Sequence, residues 1–396
     1  MNPMNTYGTL VGLGTHPLVT THGDFVVHVF QNLITRAPAL AVVCGDVTTP
    51  DPLLARVHSS CVTSESYGGC DCDCAQQLDA ALRQIARAGR GVVFYLMQEG
   101  RGAGFLAKAR DRMIVQASGH RLSTFEAYEQ MGLEPDCRRY DEIGYARQLL
   151  GIAAPFELLT NNPEKTTGLD AAGVPIAGVR PLRHPASPFN AHYLRAKSRV
   201  GHTLAADTAP IATLPESVAR FEPRRLATAP YLVHMASYLL PVALRDEGDP
   251  GPHWFWSHAY LDTTTGRARV VLSYGPPDGA VLPVRIQTDT LLERFPMRDG
   301  RPQRRCWNAT VRAFVRSGTG CAVFTTLHDL GADSTAASDP DADETTLRLL
   351  AHHAGGRRVR PVLAPGAESA TAAALRDDFA RHGVESDAVL PLDGVA

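Results

Sequence analysis

Residues 56–96 read RVHSSCVTSESYGGCDCDCAQQLDAALRQIARAGRGVVFYL, and this stretch decides the fold. After the cysteines, apolar residues recur at the spacing of one helix face, and Gly89 stands where such a helix would end. Residues 92–96 form a short apolar run that is typical of a buried strand. Upstream, residues 25–30 and 40–43 are rich in β-branched and aromatic residues, which predicts two further strands. The order of these elements predicts an α+β fold of mixed α/β type.

The second half of the chain reads as a degenerate copy of the first. Shifted by 229 positions, RVHSSC at 56–61 aligns with RIQTDT at 285–290. Arginines and glycines then stay in register without a gap: Arg83 with Arg312, Arg87 with Arg316, Gly89 with Gly318, and Gly91 with Gly320. The alternative is that two unrelated α/β segments share these residue types by chance. A constant register over such a length favours the repeat.

The composition between the two copies predicts where they are joined. Residues 205–229 are rich in alanine, proline and threonine and show little periodicity, as expected of a junction. We therefore predict a first domain at 1–205, a linker at 206–229, and a degenerate repeat at 230–396.

Composition and charge exclude several classes of protein. The chain has 396 residues, of which 39 are Lys or Arg and 41 are Asp or Glu, so it lacks the basic character of a nucleic-acid binder. The N-terminus, MNPMNTYGTL, has no basic start followed by an apolar run, which argues against a signal peptide. The most apolar stretch, residues 231–244, is too short and too broken to cross a membrane. We expect a cytoplasmic protein that contacts neither nucleic acid nor membrane.

Cys61, Cys72 and Cys74 form a C-x10-C-x-C motif, which is the strongest chemical signal in the sequence. Thiolates are soft ligands that suit Zn²⁺, and three of them leave a coordination position for water, as in catalytic zinc sites. Two alternatives stay open: Cys70 as a fourth ligand would make the site structural, or the cysteines act in redox chemistry. At the shift of 229 positions the three become Thr290, Arg301 and Gln303. The second copy is therefore expected to lack the metal and to act as a structural partner of the first.

Other polar residues flank the cysteine motif. Arg56, His58 and Ser59 precede the first cysteine, and QEGRGAG at 98–104 follows the predicted buried strand. Glycines allow a close approach of backbone to ligand, and the guanidinium of Arg101 can bind a phosphate with two donors. The alternative for this loop is a simple tight turn. The Glu99 carboxylate can accept hydrogen bonds from an amino group and a ring N–H, the pattern of a guanine edge.

In order along the chain, ARVHSSC, CDC-x2-QL, YLMQEGRGAG and LLTNNPEK resemble the signature of the GTP cyclohydrolase II family. The tail NAHYLRAK at 190–197, with Gly201 and His202, is also similar, so the resemblance spans about residues 8–205. It implies a cyclohydrolase II-like catalytic domain followed by the degenerate copy.

The resemblance assigns roles position by position. It implies Cys61, Cys72 and Cys74 as zinc ligands, and it implies these substrate-binding positions: Arg56, Ser59, Gln77, Glu99, Gly100, Arg101, Thr124, Thr160 and Lys165. We add His58 as a substrate-binding candidate. Asp136 and Arg138 match the catalytic pair assigned to acid/base work and to attack on the α-phosphate. Because a guanidinium stays protonated, Arg138 is equally a candidate for an electrostatic clamp. The alternative for this pair is an ordinary surface ion pair.

The implied reaction is hydrolysis of GTP that opens the imidazole ring at C8 and releases pyrophosphate. The product would be a formamidopyrimidine or, after formate loss, a diaminopyrimidinone ribotide, the riboflavin precursor. Zn²⁺ is the implied cofactor, with Mg²⁺ on the triphosphate, and the chain is expected to be a homodimer or a pseudo-dimeric monomer. The alternatives are the same chemistry on another nucleotide and a non-catalytic nucleotide-binding scaffold with a structural zinc.

The sequence departs from the family at three places. A family tyrosine in the helix after the glycine-rich loop is replaced by Arg112, with Met113 adjacent; Ser60 replaces a glutamate, and Tyr128 replaces an asparagine. A phenol at the first position could relay a proton in one of the two hydrolytic steps. Its loss predicts an enzyme that stops at the formamidopyrimidine, as would suit secondary metabolism.

Overall fold

The computed structural model describes residues 6–215, 224–244, 251–276, 279–298, 302–327, 343–363 and 369–392. The strands of the first half are β1 (Thr6–Tyr7), β2 (Leu10–Thr20), β3 (Gly23–Asn32), β4 (Pro38–Cys44), β5 (Leu53–Ser59), β6 (Gly91–Leu96), β7 (Phe156–Leu159) and β8 (Ile176–Arg180). Its helices are α1 (Val62–Glu65), α2 (Cys74–Ala88), α3 (Phe105–Ala117), α4 (Thr124–Gln130), α5 (Asp141–Leu149), α6 (Pro163–Ala171) and α7 (Ala191–Arg199). The strands of the second half are β9 (Arg224–Leu226), β10 (Ala229–Val242), β11 (His253–Asp262), β12 (Arg267–Tyr274), β13 (Val281–Thr290), β14 (Gly320–Leu327), β15 (Arg358–Leu363) and β16 (Leu390–Pro391). Its helices are α8 (Pro302–Ser317), α9 (Glu344–Ala354) and α10 (Ser369–Arg381).

The two halves have the same sheet topology. The first sheet has the order β1-β2-β3-β4-β6-β5-β7-β8, and the second has the same order with every strand number raised by eight. The pattern of parallel and antiparallel pairs also matches, since β5 and β13 each lie between two parallel neighbours. This identity confirms the predicted α+β fold with a second copy. Arg301, the counterpart of Cys72, lies outside the described residues.

The elements predicted from residues 25–96 are confirmed. The segments 25–30, 40–43 and 92–96 lie in β3, β4 and β6, and Gly89 ends α2 in a left-handed conformation with φ of 73°. Every residue of β6 is buried because α2 covers one face of the sheet and α5 and α6 cover the other. The structure places β9 and the start of β10 inside the predicted linker. The domain limits 1–205, 206–229 and 230–396 stay a prediction.

The topology gathers polar residues at one edge of the first sheet. Strands β5, β6 and β7 are parallel neighbours, so their carboxyl ends meet at this edge. Ser59 ends β5, Gln98 follows β6, and Thr160 follows β7. In open α/β sheets, ligands bind at the carboxyl ends of the strands.

The apolar residues 231–244 include most of β10. Among the described residues, no helix is long and apolar enough to cross a bilayer.

The second half contains a network of histidines and serines. Ser237 Oγ lies 2.8 Å from His234 Nε2 and 2.6 Å from His258 Nδ1, while Ser273 Oγ lies 2.9 Å from His258 Nε2. The ring of His353 lies 4.8 Å from that of His258. Burial lowers the pKa of all three histidines, to about 4 for His234 and about 3 for His258. The folded network is therefore neutral well below the pH at which histidines of an unfolded chain take up protons.

We expect the free energy of unfolding to fall as the pH drops from about 6.5 to about 4. In this window the unfolded chain binds protons that the folded network does not, so acid favours unfolding. Because one pKa unit corresponds to about 1.4 kcal/mol, His258→Asn should reduce the loss between pH 7.5 and 4.5 by roughly 1–3 kcal/mol. Urea unfolding of both proteins at several pH values measures this, with His16→Asn on the exposed part of β2 as the control. Equal pH dependence in wild type and His258→Asn would contradict the assignment.

Candidate functional site

Three cysteine thiols meet at the carboxyl edge of the first sheet. Cys61 follows β5, Cys72 lies in the loop before α2, and Cys74 begins α2. Their Sγ atoms all lie within 4.8 Å of one another, and Cys61 Sγ is 3.6 Å from Cys72 Sγ. The fourth cysteine of the cluster in sequence, Cys70, instead donates its thiol to the carbonyl of Pro241 at 3.3 Å. The described residues therefore bring together three thiols, and Cys70 is not the fourth.

The chemistry of this cluster fits a zinc ion. With Zn–S bonds of about 2.3 Å and tetrahedral angles, ligand sulfurs lie roughly 3.8 Å apart, which matches the observed spacing. Hydrogen bonds from Cys72 and Cys74 hold the pKa of Cys61 well below its usual value, and the Lys108 ammonium adds to this at 3.1 Å from Cys61 Sγ. A thiolate is the form that binds a metal. Cys61 is thus prepared to bind a soft cation, whereas hydrogen bonds with Cys61 and burial raise the pKa of Cys72 and Cys74.

All fifteen sequence-predicted site residues line one cleft, which has a volume of about 110 Å³. Seven cationic side chains face this cleft: Arg56, Arg101, Lys108, Arg112, Arg138, Lys165 and Lys197. Four carboxylates face it: Glu99, Asp111, Asp136 and Glu164. The cations outnumber the carboxylates among the described residues of the cleft, and this excess of positive charge suits a polyanionic ligand.

Arg56 and Lys165 are buried beneath the cleft. Arg56 donates to the carbonyl of Leu159 at 2.8 Å and to Gln77 Oε1 at 2.6 Å, and Lys165 Nζ donates to the carbonyl of Val57 at 2.7 Å. Burial lowers the pKa of Lys165 well below its usual value, and the nearby charges of Arg56 and Arg138 lower it further. These cations repel one another at close range. A bound polyphosphate would relieve this repulsion.

The glycine-rich loop after β6 brings Glu99 and Arg101 into the cleft. Arg101 has φ of 55°, a strained backbone for a non-glycine residue, and its guanidinium lies 3.7 Å from the centre of the Phe125 ring. At Gly102 the loop approaches the next segment so closely that a Cβ would lie 2.8 Å from the carbonyl carbon of Cys137. The loop contains a tight 3-10 turn at Gly100–Gly102 that packs against the segment at Cys137, and its role in ligand binding stays a prediction.

Glu99 is tied to the thiol cluster. Its Oε1 accepts from Lys108 Nζ at 2.6 Å, and its Oε2 accepts from the backbone N–H of Val62 at 2.9 Å. Burial raises the pKa of Glu99 to about 7, although Lys108 opposes the shift. Each carboxylate oxygen has a second lone pair, so hydrogen bonds to a base edge remain available.

Asp136 and Arg138 form an ion pair inside the cleft. Arg138 Nε donates to Asp136 Oδ1 at 2.8 Å, its Nη2 donates to Oδ2, and the side chains are only 13% and 18% exposed for Arg138 and Asp136. Burial opposes the charge of Arg138, but the hydrogen bond and charge of Asp136 outweigh it and raise its pKa above the usual value. The ion pair therefore lies inside the cleft and not on the exposed surface, and its catalytic role stays a prediction.

Several polar atoms of the cleft are buried without a partner among the described residues: His58 Nδ1, Ser59 Oγ, Arg101 Nη2 and Asp111 Oδ1. Such atoms are costly unless a ligand or water satisfies them. The other ring nitrogen of His58, Nε2, lies 2.7 Å from Glu65 Oε1, so this side chain also has a partner below the cleft. Thr124 donates to Asp111 Oδ2 at 2.8 Å, and Thr160 lies at the end of β7.

The structure adds residues that sequence reasoning did not assign: Lys108, Asp111, Tyr193, Lys197 and His202. The first two lie on one face of α3, three positions apart, a spacing that could have indicated them. Tyr193, Lys197 and His202 lie within the quoted tail of the first domain, but nothing there indicated proximity to the thiols. Only the fold brings the tail to the cleft.

The three departures from the family have structural consequences. Arg112 Nε lies 2.8 Å from Asp71 Oδ2, and its guanidinium lies 4.6 Å from the centre of the Tyr193 ring, so a fixed positive charge lines the cleft. Met113 points elsewhere, into a core shared with the second half. Tyr128 donates to the carbonyl of Gly100 at 2.8 Å and supports the glycine-rich loop, and Ser60 lines the cleft.

Comparison with known proteins agrees with this geometry. The family model of GTP cyclohydrolase II matches residues 13–181. The "GTP cyclohydrolase-2" of Escherichia fergusonii is 42% identical over 188 residues, which are 47% of this chain and 93% of that protein. The "Riboflavin biosynthesis protein RibBA" of Bacillus cytotoxicus is 42% identical over 188 residues, 47% of this chain and 46% of the relative. That of Chlorobium phaeovibrioides is 38% identical over 186 residues, 47% of this chain and 44% of the relative. The chain therefore spans about half the length of the RibBA relatives that it matches.

Proposed function

Because the chain belongs to the GTP cyclohydrolase II family, we propose that it is a zinc-dependent hydrolase that opens the imidazole ring of GTP at C8 and releases pyrophosphate. The observation that carries this proposal is the meeting of two features in one cleft. A cluster of three thiols lines it, and so does an excess of cationic side chains. In a nucleoside triphosphate, the base would face the thiol cluster and the three phosphates would contact the cationic side chains.

The cations bind the phosphates in this proposal. Lys165, Arg56 and Arg101 hold the triphosphate, and its charge offsets the repulsion that lowers the pKa of Lys165. The Asp136–Arg138 pair lies among them, so the guanidinium clamps the α-phosphate while water attacks its phosphorus, the bond to the β-phosphate breaks and pyrophosphate leaves. We favour the clamp over a nucleophile because Asp136 keeps Arg138 protonated. Mg²⁺ with the triphosphate remains part of the prediction.

The base lies toward the thiols. Cys61, Cys72 and Cys74 would hold Zn²⁺, which when bound lowers the pKa of water toward about 7 and so supplies the hydrolytic nucleophile. Glu99 orients the guanine edge, and its tie to the N–H of Val62 fixes the distance between the base and the metal ligands. Lys108 and Asp111 complete the polar wall on the α3 side.

The wall near the thiols also suggests where the reaction stops. Arg112 and Asp71 form a buried ion pair at the position of the family tyrosine, and a guanidinium that stays protonated cannot relay a proton as a phenol can. We therefore propose that the ring is opened and that the formyl group stays on the product. The formamidopyrimidine ribotide would suit secondary metabolism better than riboflavin biosynthesis.

Incubation with GTP, Zn²⁺ and Mg²⁺, followed by mass spectrometry, tests the proposal. We expect a product whose mass is that of GTP plus two waters, one for ring opening and one for hydrolysis at the α-phosphate, minus pyrophosphate, so that the formyl carbon is retained and no formate appears. ITP lacks the amino group from which Glu99 would accept a hydrogen bond, and the adenine edge of ATP has a different pattern of donors. Both nucleotides should therefore turn over more slowly. Stoichiometric formate would contradict the proposal that the reaction stops at the formamidopyrimidine. Faster turnover of another nucleotide would change the proposed substrate. Absence of turnover with every nucleotide would contradict the proposed function.

A further inference from the structure

The segment between the first two thiols, residues 62–71, is held by the second half of the chain; we refer to it as the ligand loop. The Ser66 hydroxyl donates to Asp289, and Arg304 Nη1 donates to the carbonyl of Ser66 at 2.7 Å. Trp307 Nε1 donates to the carbonyl of Tyr67 at 2.8 Å. These contacts join residues more than two hundred positions apart.

The hold continues along the loop. Ala243 N donates to the carbonyl of Gly68 at 3.0 Å, Gly69 forms a bridge with Val242, and Cys70 N donates to the carbonyl of Pro241 at 2.9 Å. Five consecutive residues, 66–70, therefore contact the second half through hydrogen bonds or strand pairing. At Gly68 a Cβ would lie 2.5 Å from an Arg304 nitrogen, so the two surfaces are in close contact.

The contact is reciprocal. The equivalent segment of the second half, residues 291–298, lies against the first half: Thr21 N donates to the carbonyl of Pro296 at 2.8 Å, and Arg298 N donates to that of Val19 at 3.0 Å. Val62 and Tyr67 pack into the core of the second half, while Leu291 and Phe295 pack into that of the first. Such exchange of equivalent surfaces is the property of a two-fold interface. Here it lies within one chain.

At the interface between the two copies, two residues at equivalent positions carry opposite charges and lie close together. Glu65 and Arg294 are 229 positions apart, and both contact Tyr95. The Tyr95 hydroxyl donates to Glu65 Oε2 at 2.5 Å and accepts from Arg294 Nη1 at 3.2 Å. Glu65 also contacts His58 on the wall of the cleft. Two identical copies would place like charges here, whereas the diverged second copy places an attractive pair.

In the second copy, the positions equivalent to the cleft lie against the ligand loop of the first copy. The positions of His58, Ser59 and Cys61 correspond to Gln287, Thr288 and Thr290, and a residual cavity of about 20 Å³ lies beside them. Glu65 and Ser66 of the ligand loop line that cavity together with Asp289 and Trp307. The degenerate site thus contacts the loop of the first copy through residues that take no part in metal binding.

We infer that the second copy is a built-in clamp for the metal site, in which Asp289, Arg294 and Trp307 are positioning residues for Cys61 and Cys72. The inference rests on the proposed zinc site, because the clamp acts by fixing the loop that joins two of its ligands. Zinc affinity depends on how well the ligands are preorganised, and outer partners of ligands commonly contribute 10–100-fold. The loop should therefore be loosened, and zinc bound more weakly, when contacts from the second half are removed.

Full-length Trp307→Phe and Asp289→Asn test this with two readouts. Trp307→Phe removes the donor to Tyr67 and keeps an aromatic ring, and Asp289→Asn keeps the shape and removes the charge. We expect faster amide exchange in residues 62–72 and a zinc dissociation constant raised about 10-fold or more in competition with a chelator. Trp256→Phe is the matched control, since Trp256 packs in the same core and contacts His258 instead of the loop.

Ser66→Ala approaches the same contact from the first half and guards against a general folding defect. Asp289 also pairs with Arg294, and an asparagine can still accept from Ser66. If part of its effect passes through Ser66, adding Ser66→Ala to Asp289→Asn should change loop exchange and zinc affinity less than Ser66→Ala changes them in the wild type. Unchanged exchange and zinc affinity in Trp307→Phe and Asp289→Asn would overturn the clamp. Loosened exchange in a chain whose wild type binds no zinc would keep the contact and overturn the zinc site instead. The two failures are thus distinguishable.

Discussion

Replacing Cys72 by serine is expected to abolish zinc retention and to lower GTP turnover by at least about 100-fold. Cys72 is 1% exposed, and its Sγ is 3.6 Å from that of Cys61, so the thiol is a buried member of the cluster. A serine hydroxyl is shorter, harder and stays protonated near neutral pH, so one of three soft ligands is lost. Loss even of a residue behind a metal ligand commonly costs 10–100-fold, and a ligand should cost more.

Zinc content of the purified protein and turnover of GTP measure this effect together. Cys44→Ser is the matched control, since Cys44 is a half-buried thiol at the end of β4, away from the cleft. Circular dichroism of both variants separates loss of metal from loss of fold. Full zinc retention in Cys72→Ser would place the metal elsewhere. Folded, zinc-bound wild type without turnover of any nucleotide would favour the scaffold alternative.

The sequence predicted the local elements well, and its candidate site residues meet in one cleft, while their individual roles stay a prediction. The apolar spacing in α2, its end at Gly89 and the buried strand β6 all depend on short-range patterns, and the structure has them. The fifteen candidate residues line one cleft because their motifs lie in three neighbouring parallel strands or in the loops and helices that follow them. In such a sheet, chain order at the strand ends largely fixes which residues meet.

What the sequence could not provide are contacts that depend on how whole elements pack. Lys108 lies beside Cys61 because α3 packs across the thiols, and no spacing near Cys61 indicates this. Trp307 contacts Tyr67 because two copies of the fold exchange equivalent surfaces, which a degenerate repeat suggests only in outline. Glu99 was expected to face a base edge, but its bonds to Lys108 and Val62 became visible only in three dimensions.

Arg138→Ala is expected to lower kcat for pyrophosphate release by about 10²–10³-fold with a smaller change in KM. In the clamp, the guanidinium stabilises charge that develops on the α-phosphate, and loss of one such donor typically has this magnitude. The change in KM should stay smaller because, in the proposed binding mode, Arg56 and Lys165 would still hold the ground-state triphosphate in the variant. Steady-state kinetics with separate assays of pyrophosphate and ring-opened product measures the effect.

The matched control is Arg139→Ala, which removes the neighbouring arginine, whose side chain is 84% exposed and paired with Asp141. Arg138→Lys separates the two roles left open by the sequence. It keeps a charge near the α-phosphate but loses the fork that Asp136 orients, so the clamp predicts activity between that of wild type and Arg138→Ala. Because Asp136 raises the pKa of Arg138, the clamp also predicts no covalent nucleotide on the enzyme after rapid quenching. A guanylyl adduct on Arg138 in the wild type would establish the nucleophile and contradict the clamp.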